Sequence, residues 1–377
     1  MSEYNIVISC ASGVESVLKT ELNMLGYKNL KANDGKIKIT GNEYDIARLN
    51  ISLRTAERIY IELQEFVATS FDELFVNISK FPWADLLPFN AKILINGKSK
   101  KSKLFSIRDC QKIIKKSILK ELEKRYKKTF FPENGEEYSI IFNINKDVVS
   151  ILLDTSGIPL HKRGYRQLVY TAPIKETLAA CMILLSDYKE NLENIFCDPF
   201  CGSGTIPIEA ALIAKNIAPN INRSFAFEKW NFFKYGVKQQ AIESAKDLID
   251  NTIHPNIICS DINKEAIRLT TLHSKNANVS EYINAKLMDA TKLDFSFNNG
   301  CIVTNPPYGD RLLNDEQIKL LYKKFGNVYK NLDNWSLFII SSNPNFERLF
   351  GIKSDKNRKL YNSEKQCYFY QYFKKSI

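Results

Sequence analysis

The feature that most constrains the fold is an alternation of short apolar strands with helical patterns in the second half of the chain. Strands that alternate with helices form right-handed crossovers and a mainly parallel sheet covered on both faces. The strand patterns lie at residues 195–198, 257–261, 301–304 and 336–340, and the helical patterns at 206–216, 238–251, 264–277 and 317–331. In such a sheet ligands bind beyond the carboxyl ends of the strands, so we expect the functional site there.

A glycine-containing loop follows the first of these strands and opens a helix. The loop holds Asp198, Pro199, Gly202, Gly204 and Thr205. Its glycines allow a tight turn and a close approach of the backbone to a ligand at a helix N-terminus. The sequence has no third glycine at dinucleotide spacing and no Gly-Lys-Ser/Thr phosphate loop, which argues against an NAD(P) enzyme and a nucleotide hydrolase.

Acidic residues end the next two strands. Asp261, followed by Ile262, is placed to accept hydrogen bonds from both hydroxyls of a ribose, and Asp289, followed by Ala290, from an adenine amino group. The spacing from the loop to Asp261 exceeds the usual ~20 residues, so an insertion is expected around residues 218–235. An aspartate at these positions also fits a helix cap or a turn.

The sequence Asn305, Pro306, Pro307 and Tyr308 is the most specific signal. Two prolines hold the backbone extended and leave carbonyl groups exposed. The Asn305 side-chain oxygen and the Pro306 carbonyl can both accept from an exocyclic amino group, and Tyr308 can stack on the base. Methyl transfer to such a nitrogen requires alignment rather than a metal ion or a covalent intermediate. A simple turn after a strand is the weaker interpretation, because the glycine-containing loop and Asp261 both occur upstream of the motif.

The net charge of +11 is concentrated in one segment. Residues 92–128 contain fourteen Lys and Arg against three acidic residues, and the rest of the chain is neutral overall. Such a cluster is typical of a polyanion-binding surface, because phosphate contacts release counterions. A solvated helix face is the alternative. Our candidate RNA contacts are Lys101, Lys103, Lys112, Lys115, Lys116 and Lys120, together with a second basic cluster of Lys162, Arg163 and Arg166.

The first half of the chain indicates small α+β units. Strands are expected at 4–9, 36–40 and 58–66, with helices at 13–25 and 43–50. In and after the basic segment, strands are expected at 92–96 and 103–107 around a turn at Gly97. A helix at 108–128 and a hairpin of 138–144 and 148–154 follow. Apolar residues of the long helix recur every four positions, so they form one stripe.

The eight cysteines form no CxxC pair and no Cys/His cluster with zinc spacing, so we expect neither a metal site nor a disulfide framework. The start of the sequence lacks a basic region followed by an apolar one, and the apolar runs are too short to span a bilayer. We therefore expect no membrane association and a cytoplasmic location.

Several longer strings resemble the THUMP-domain class I S-adenosylmethionine-dependent RNA methyltransferases of bacteria. They cover residues 161–166, 172–180, 222–230 and 305–312. The loop at 198–205, Asp261 and 305–308 look like motifs I, II and IV of amino-methyltransferases. Within the family, the chain is most similar to the N-terminal half of the large-subunit ribosomal RNA guanine-N2 methyltransferase RlmL and to its stand-alone relatives. RlmL has a second methyltransferase domain, for which these 377 residues contain no counterpart.

The resemblance implies an α/β fold: a ferredoxin-like domain at 1–66, a THUMP RNA-binding domain at 67–157 and a Rossmann-like methyltransferase domain at 158–377. It implies S-adenosylmethionine as cofactor and structured RNA as partner, with guanine N2 of 23S ribosomal RNA as the target. Adenine N6 of RNA or DNA and guanine N2 of tRNA are the alternatives, because the Asn305–Tyr308 motif accepts any exocyclic amine. A non-enzymatic RNA-binding assembly factor is a further alternative, which the intact motifs disfavour.

Overall fold

The computed structural model describes residues 3–33, 35–166, 168, 173–293, 299–308 and 314–374, and within these ranges the strands form two seven-stranded sheets. The first sheet has the order β2-β3-β1-β4-β7-β6-β5. Its elements are β1 (Tyr4–Cys10), α1 (Glu15–Met24), β2 (Ala32–Asn33), β3 (Lys36–Gly41), α2 (Glu43–Ser52), β4 (Ala56–Val67), α3 (Phe71–Ser79), α4 (Trp83–Leu86), β5 (Lys92–Lys100), α5 (Ile107–Tyr126), β6 (Glu137–Asn145) and β7 (Val148–Asp154).

Strand β4 joins the two N-terminal units into one sheet. Its first half pairs antiparallel with β1, and its second half pairs antiparallel with β7 from Tyr60 opposite Asp154 to Val67 opposite Val148. The apolar side chains of these strands pack with α1, α2, α3 and α5 in one continuous core. The two N-terminal units therefore share both backbone hydrogen bonds and a core.

The expected strand at 103–107 and the turn at Gly97 are wrong. Strand β5 runs without interruption to Lys100, residues 101–106 form a loop, and α5 begins at Ile107 with Ser106 as its N-cap. Gly97 lies inside β5, where a Cβ atom would approach the Phe142 carbonyl oxygen to 2.3 Å. The glycine thus allows close contact between β5 and β6, a role that strand glycines share with turn glycines.

The second sheet has the order β10-β9-β8-β11-β12-β14-β13, and β10, β9, β8, β11 and β12 are parallel. Its elements are α6 (Glu176–Leu184), β8 (Phe196–Asp198), α7 (Thr205–Ala214), α8 (Val237–Asp247), β9 (Ile257–Asp261), α9 (Lys264–Asn276), β10 (Ile283–Leu287), β11 (Gly300–Thr304), α10 (Asp315–Lys330), β12 (Trp335–Ser341), α11 (Phe346–Phe350), β13 (Lys356–Asn362) and β14 (Lys365–Tyr372). The four expected strands and four expected helices all form, whereas α6, α11, β13 and β14 were not predicted.

The expected insertion around 218–235 packs against the N-terminal sheet rather than against its own. Trp230 stacks on Tyr138 with ring centroids 5.5 Å apart, and its Nε1 donates to the Glu137 carbonyl oxygen at 3.2 Å. The Phe227 amide donates to the carbonyl oxygen of Thr155 at 3.2 Å. The insertion therefore connects the C-terminal half to the N-terminal half.

Within the described residues, no helix combines the length and the apolar character that crossing a bilayer requires. The eight cysteines are all free thiols, and seven of them are buried. Cys197, Cys259 and Cys301 lie inside central strands of the second sheet, where they pack as small apolar side chains.

Candidate active site

The carboxyl ends of four parallel strands meet at one edge of the second sheet. Asp198 ends β8 and lies in register with Cys259 of β9, while Asp261 ends β9 opposite Leu287 of β10. On the other side of β8, strand β11 ends at Thr304. The order of the sheet reverses at β8, because the chain places β9 and β10 on one side of it and then β11 and β12 on the other. Ligands of open α/β sheets bind at such a point.

Short backbone contacts hold the glycine loop against β9. The Cys201 amide donates to the Ser260 carbonyl oxygen at 2.9 Å, and the Gly202 amide donates to Oδ2 of Asp261 at 3.0 Å. Gly204 has φ +86°, and a Cβ atom there would lie 2.9 Å from Cγ2 of Thr270. At Gly202, with φ +53°, a Cβ atom would meet nothing within 4 Å. The loop is thus crowded towards α9 and open at Gly202.

Asp198 is fully buried at the end of β8. Its Oδ1 accepts from the Thr304 hydroxyl at 2.6 Å and from the Phe200 amide at 3.2 Å. Its Oδ2 has no hydrogen-bond partner within the described residues. Burial raises the pKa of Asp198 to about 7, against the lowering effect of the hydrogen bonds from Thr304 and Phe200. A buried acceptor without a partner fits a ligand that brings its own donor.

Asp261 and Ile262 form the next part of the edge. Oδ1 of Asp261 accepts from the Asn263 amide at 2.9 Å, so both carboxylate oxygens are oriented by backbone donors and keep lone pairs for further donors. The following Ile262 is 75% exposed, which is unusual for a branched apolar residue. An acidic residue beside an exposed apolar side chain suits a ribose next to a planar base.

Asp289 and Ala290 follow β10, the strand next to β9. Oδ1 of Asp289 accepts from the amide and the hydroxyl of Thr291, at 2.9 and 2.8 Å, which caps a short turn. The Met288 amide donates to the Asp261 carbonyl oxygen at 3.0 Å and ties this turn to β9. The structural role of Asp289 is thus visible, and its contact with an adenine stays a prediction.

The Asn305–Tyr308 motif leaves the end of β11 and is held from two sides. The Tyr308 hydroxyl donates to Oδ1 of Asn305. The Tyr322 hydroxyl, on α10, donates to the Pro307 carbonyl oxygen at 3.0 Å. Burial raises the pKa of Tyr308 well above its usual range, so it stays a neutral donor. A carbonyl oxygen has two lone pairs, so Asn305 can still accept from a second donor.

Some of the sequence strings fall outside the described residues. These are Gly309 to Leu312, which complete the Asn305 string, and Ala172, which begins another. The rest of the site, including Pro199, Thr205 and Pro306, lies within the described part of the chain.

The lysine candidates on α5 lie at the surface, and most of them have acidic neighbours. Lys112, Lys116 and Lys120 are exposed, and with Lys115 they line a groove whose floor contains Phe75 and Leu119. Ion pairs join Lys112 to Asp109, Lys115 to Glu133 and Lys120 to Glu123. Lys101 and Lys103 are exposed in the loop before α5, and Lys162 is exposed in the linker.

The prediction that Arg163 contacts RNA is wrong for this conformation, because its side chain is only 1% exposed. Its guanidinium donates to the carbonyl oxygens of Leu160 and Arg54 and to Glu209. Arg166 is also mostly covered, because it donates to Glu176 at 3.1 Å and to the Thr205 hydroxyl at 3.3 Å. Both side chains are held by buried carboxylates, which the basic cluster in the sequence did not reveal.

The supporting contacts of three residues were not predicted from the sequence, although Thr304 directly precedes the Asn305–Tyr308 motif. Thr304 holds Asp198, Thr270 donates to the Gly202 carbonyl oxygen at 3.0 Å, and Tyr322 holds the proline pair. Thr304 directly follows an apolar strand run, which was a usable signal. Thr270 and Tyr322 lie on helices without any local mark, so only the tertiary structure identifies them.

Family models match the chain in three parts. An RlmL ferredoxin-like domain matches residues 5–60, and a THUMP domain matches residues 68–154. An RMKL-like methyltransferase domain matches residues 163–371, more than half of the chain. The chain belongs to the RMKL-like methyltransferase family. The resemblance inferred from the sequence strings and the expected α/β fold are thereby confirmed.

Relatives of this RMKL-like methyltransferase extend over its whole length. A Bacillus subtilis protein named "Putative RNA methyltransferase YpsC" is 38% identical over 100% of the chain and 97% of its own length. The ribosomal RNA large subunit methyltransferase K/L of Psychromonas ingrahamii is 29% identical over 97% of the chain. The chain spans about half the length of that relative, 49%.

Solved structures agree with this assignment. A Listeria monocytogenes protein named as a predicted N6-adenine-specific DNA methylase is 39% identical, with a TM-score of 0.93 over 100% of this chain and 97% of that one. SMU.472 complexed with SAH is 36% identical, with a TM-score of 0.93 over 100% of both chains. The methyltransferase domain and this complex confirm S-adenosylmethionine as the cofactor.

Proposed function

We propose that the protein transfers a methyl group from S-adenosylmethionine to the N2 amino group of a guanine in 23S ribosomal RNA. The observation that carries the proposal is the position of the Asn305–Tyr308 motif at the strand edge that also holds Asp198 and Asp261. The relatives named ribosomal RNA large subunit methyltransferase K/L support large-subunit ribosomal RNA as the substrate class.

Different residues at the carboxyl-end edge of the second sheet bind different parts of the cofactor in this proposal. Asp261 accepts from the ribose hydroxyls, and Ile262 and Ala290 contact the adenine, whose amino group donates to Asp289. Asp198, Pro199, Gly202, Gly204 and Thr205 form the floor under the amino-acid portion, where the free Oδ2 of Asp198 suits an ammonium donor. S-adenosylmethionine supplies a methyl group that is already activated by its sulfonium, so the chain provides only alignment.

The Asn305–Tyr308 motif orients the nitrogen that is methylated. Oδ1 of Asn305 and the Pro306 carbonyl oxygen accept from the guanine amino group, which directs the nitrogen lone pair at the methyl carbon. As the nitrogen–carbon bond forms, the sulfur–carbon bond breaks, and one proton leaves the nitrogen for solvent. Tyr308 supports the base by stacking, and Pro307 stays fixed through Tyr322.

The RNA is bound in this proposal by the exposed lysines of the THUMP unit. Lys101 and Lys103 lie in the loop before α5, and Lys112, Lys115, Lys116 and Lys120 line the groove along that helix. Lys162 contributes from the linker. Phosphate contacts of this kind give affinity and register, whereas the motif at the strand edge selects the base.

The test is methylation of defined nucleic acids with labelled S-adenosylmethionine, followed by nucleoside analysis. Transcribed 23S ribosomal RNA is expected to yield labelled N2-methylguanosine, whereas tRNA and genomic DNA treated in the same way stay unlabelled. The Listeria relative, which is named for adenine N6 of DNA, supports that base as a second candidate. Label in N6-methyladenine alone, from DNA or RNA, would overturn the guanine proposal, and label in tRNA would overturn the ribosomal one.

A further inference from the structure

One end of the N-terminal sheet exposes aromatic and apolar side chains on a small area. We call this end the sheet tip; it comprises the last residue of β4, the loop 101–106, the turn between β6 and β7 and the first residues of α3 and α5. Phe105 is 81% exposed there, and Val67 is 63% exposed. Phe71 and Val148, both 38% exposed, adjoin them. Exposed apolar groups of this size in one place mark an interaction site.

The same tip carries cations that form no salt bridge within the described residues, although Glu73 of α3 lies near Lys103. Lys100, Lys101, Lys103 and Lys146 are all exposed, and none of them forms an ion pair with another described residue. On α5, by contrast, four of the five lysines pair with Asp109, Glu133, Glu123 or Glu121. The sheet tip therefore carries positive charge, unpaired within the described part of the chain, that can meet phosphate, in addition to that of Lys116 and Arg125 on α5.

The loop that presents Phe105 is anchored on both sides. The Lys103 amide donates to Oδ1 of Asp147 at 2.7 Å, and the Ser99 hydroxyl donates to the Leu104 carbonyl oxygen at 2.6 Å. Leu104 is buried, and Ser106 caps α5. Because its neighbours on both sides are fixed, Phe105 is held outwards, and binding to it costs little conformational entropy.

We propose that the sheet tip binds an unpaired segment of the RNA substrate, with one base stacked on Phe105 and adjacent phosphates on Lys101, Lys103 and Lys146. The proposal rests on the proposed RNA methyltransferase function. An aromatic ring surrounded by cations is the arrangement with which proteins hold single strands, since every base has a face that can stack. Paired bases do not offer that face, so a duplex would meet only the lysines.

The test compares Phe105→Ala with Phe130→Ala in the full chain. Phe130 is a matched control, because it is 76% exposed and follows the opposite end of α5, about 30 Å away for a helix of 20 residues. The probes are a fluorescent oligouridine and a blunt RNA duplex, with S-adenosylmethionine binding measured by calorimetry. Loss of one stack, ~1–3 kcal/mol, predicts about 5-fold to 150-fold weaker oligouridine binding for Phe105→Ala only.

Salt dependence separates the stack from the charges. The variant Lys101→Glu/Lys103→Glu/Lys146→Glu should lower the slope of affinity against salt by about 0.7 for each lost phosphate contact, whereas Phe105→Ala should leave the slope unchanged. If the wild type binds both RNAs, two results would overturn the sheet-tip proposal alone. One is that Phe105→Ala weakens binding of the duplex and of oligouridine equally, and the other is that Phe105→Ala weakens neither. A wild type that binds S-adenosylmethionine but neither RNA would overturn the RNA function itself.

Discussion

Asp198 is a buried carboxyl group whose Oδ2 has no hydrogen-bond partner within the described residues. Burial raises its pKa from 3.8 to about 7, so the folded chain keeps a proton that the unfolded chain releases. The free energy of unfolding should therefore fall as the pH rises from about 4 to 7, and then level off. Asp198→Asn should lack this fall, as measured by urea unfolding at a series of pH values without cofactor.

The same variant tests the ligand contact of Asp198. Above pH 7 the wild-type carboxylate can accept from an ammonium donor, whereas the amide of the variant carries no charge. We expect weaker S-adenosylmethionine binding at pH 8 together with equal or greater stability. An unchanged pH profile of unfolding would contradict the first expectation, and unchanged cofactor affinity the second.

Asn305 is the residue on which transfer depends most directly. Asn305→Ala removes an acceptor for the substrate amino group and also the partner of the Tyr308 hydroxyl. Removing one preorganised polar group from an active site lowers kcat by about 100-fold or more. Single-turnover assays should show this loss, while calorimetry shows normal cofactor binding. Tyr308→Phe is the control for the internal hydrogen bond, and full methyl transfer by Asn305→Ala would show that our catalytic assignment is wrong.

At the scale of elements, α5 should contribute charge without specificity. The variant Lys115→Glu/Lys116→Glu/Lys120→Glu replaces three positive charges of the groove with negative ones, so ribosomal RNA binding and its salt dependence should both decrease. S-adenosylmethionine affinity should not change, because α5 packs on the other sheet. Loss of cofactor binding in a variant that folds normally would argue against this separation of roles.

The elements also show what local sequence determines. Strands β8, β9, β11 and β12 were predictable because their apolar runs are short and bounded by polar residues. Gly97 was misread because a glycine permits both a turn and a close approach of two strands, and only the position of Phe142 distinguishes them. Likewise, Arg163 looked like a surface cation because Glu209, which binds it, is 46 residues away along the chain.

At the scale of the whole molecule, the 218–235 insertion makes the two sheets one body. Trp230→Ala should lower the free energy of unfolding by about 3–5 kcal/mol, since it empties a buried site between Tyr138 and the insertion. It should also weaken the coupling between the halves and separate their thermal unfolding, because Trp230 is one of the contacts that join them, beside the hydrogen bonds of Asn220 to Asn50 and of Thr177 to Glu57. Tyr235→Ala is the control, because Tyr235 is fully exposed in the same insertion. A single transition at an unchanged temperature would contradict this role of Trp230.

Strand β4 connects the catalytic half to the sheet tip. Near its start, Glu57 accepts from the Thr177 hydroxyl of α6 at 2.7 Å, and its last residue, Val67, lies at the tip. Its twelve residues span about 40 Å, with one irregularity in the pairing with β7 between Glu62 and Gln64. Because β4 is paired on both sides, it fixes the separation between these two places, and the enzyme would accept only a target base that lies at a set distance from an unpaired anchoring nucleotide. Substrates in which that spacing is lengthened should then be bound normally but methylated slowly.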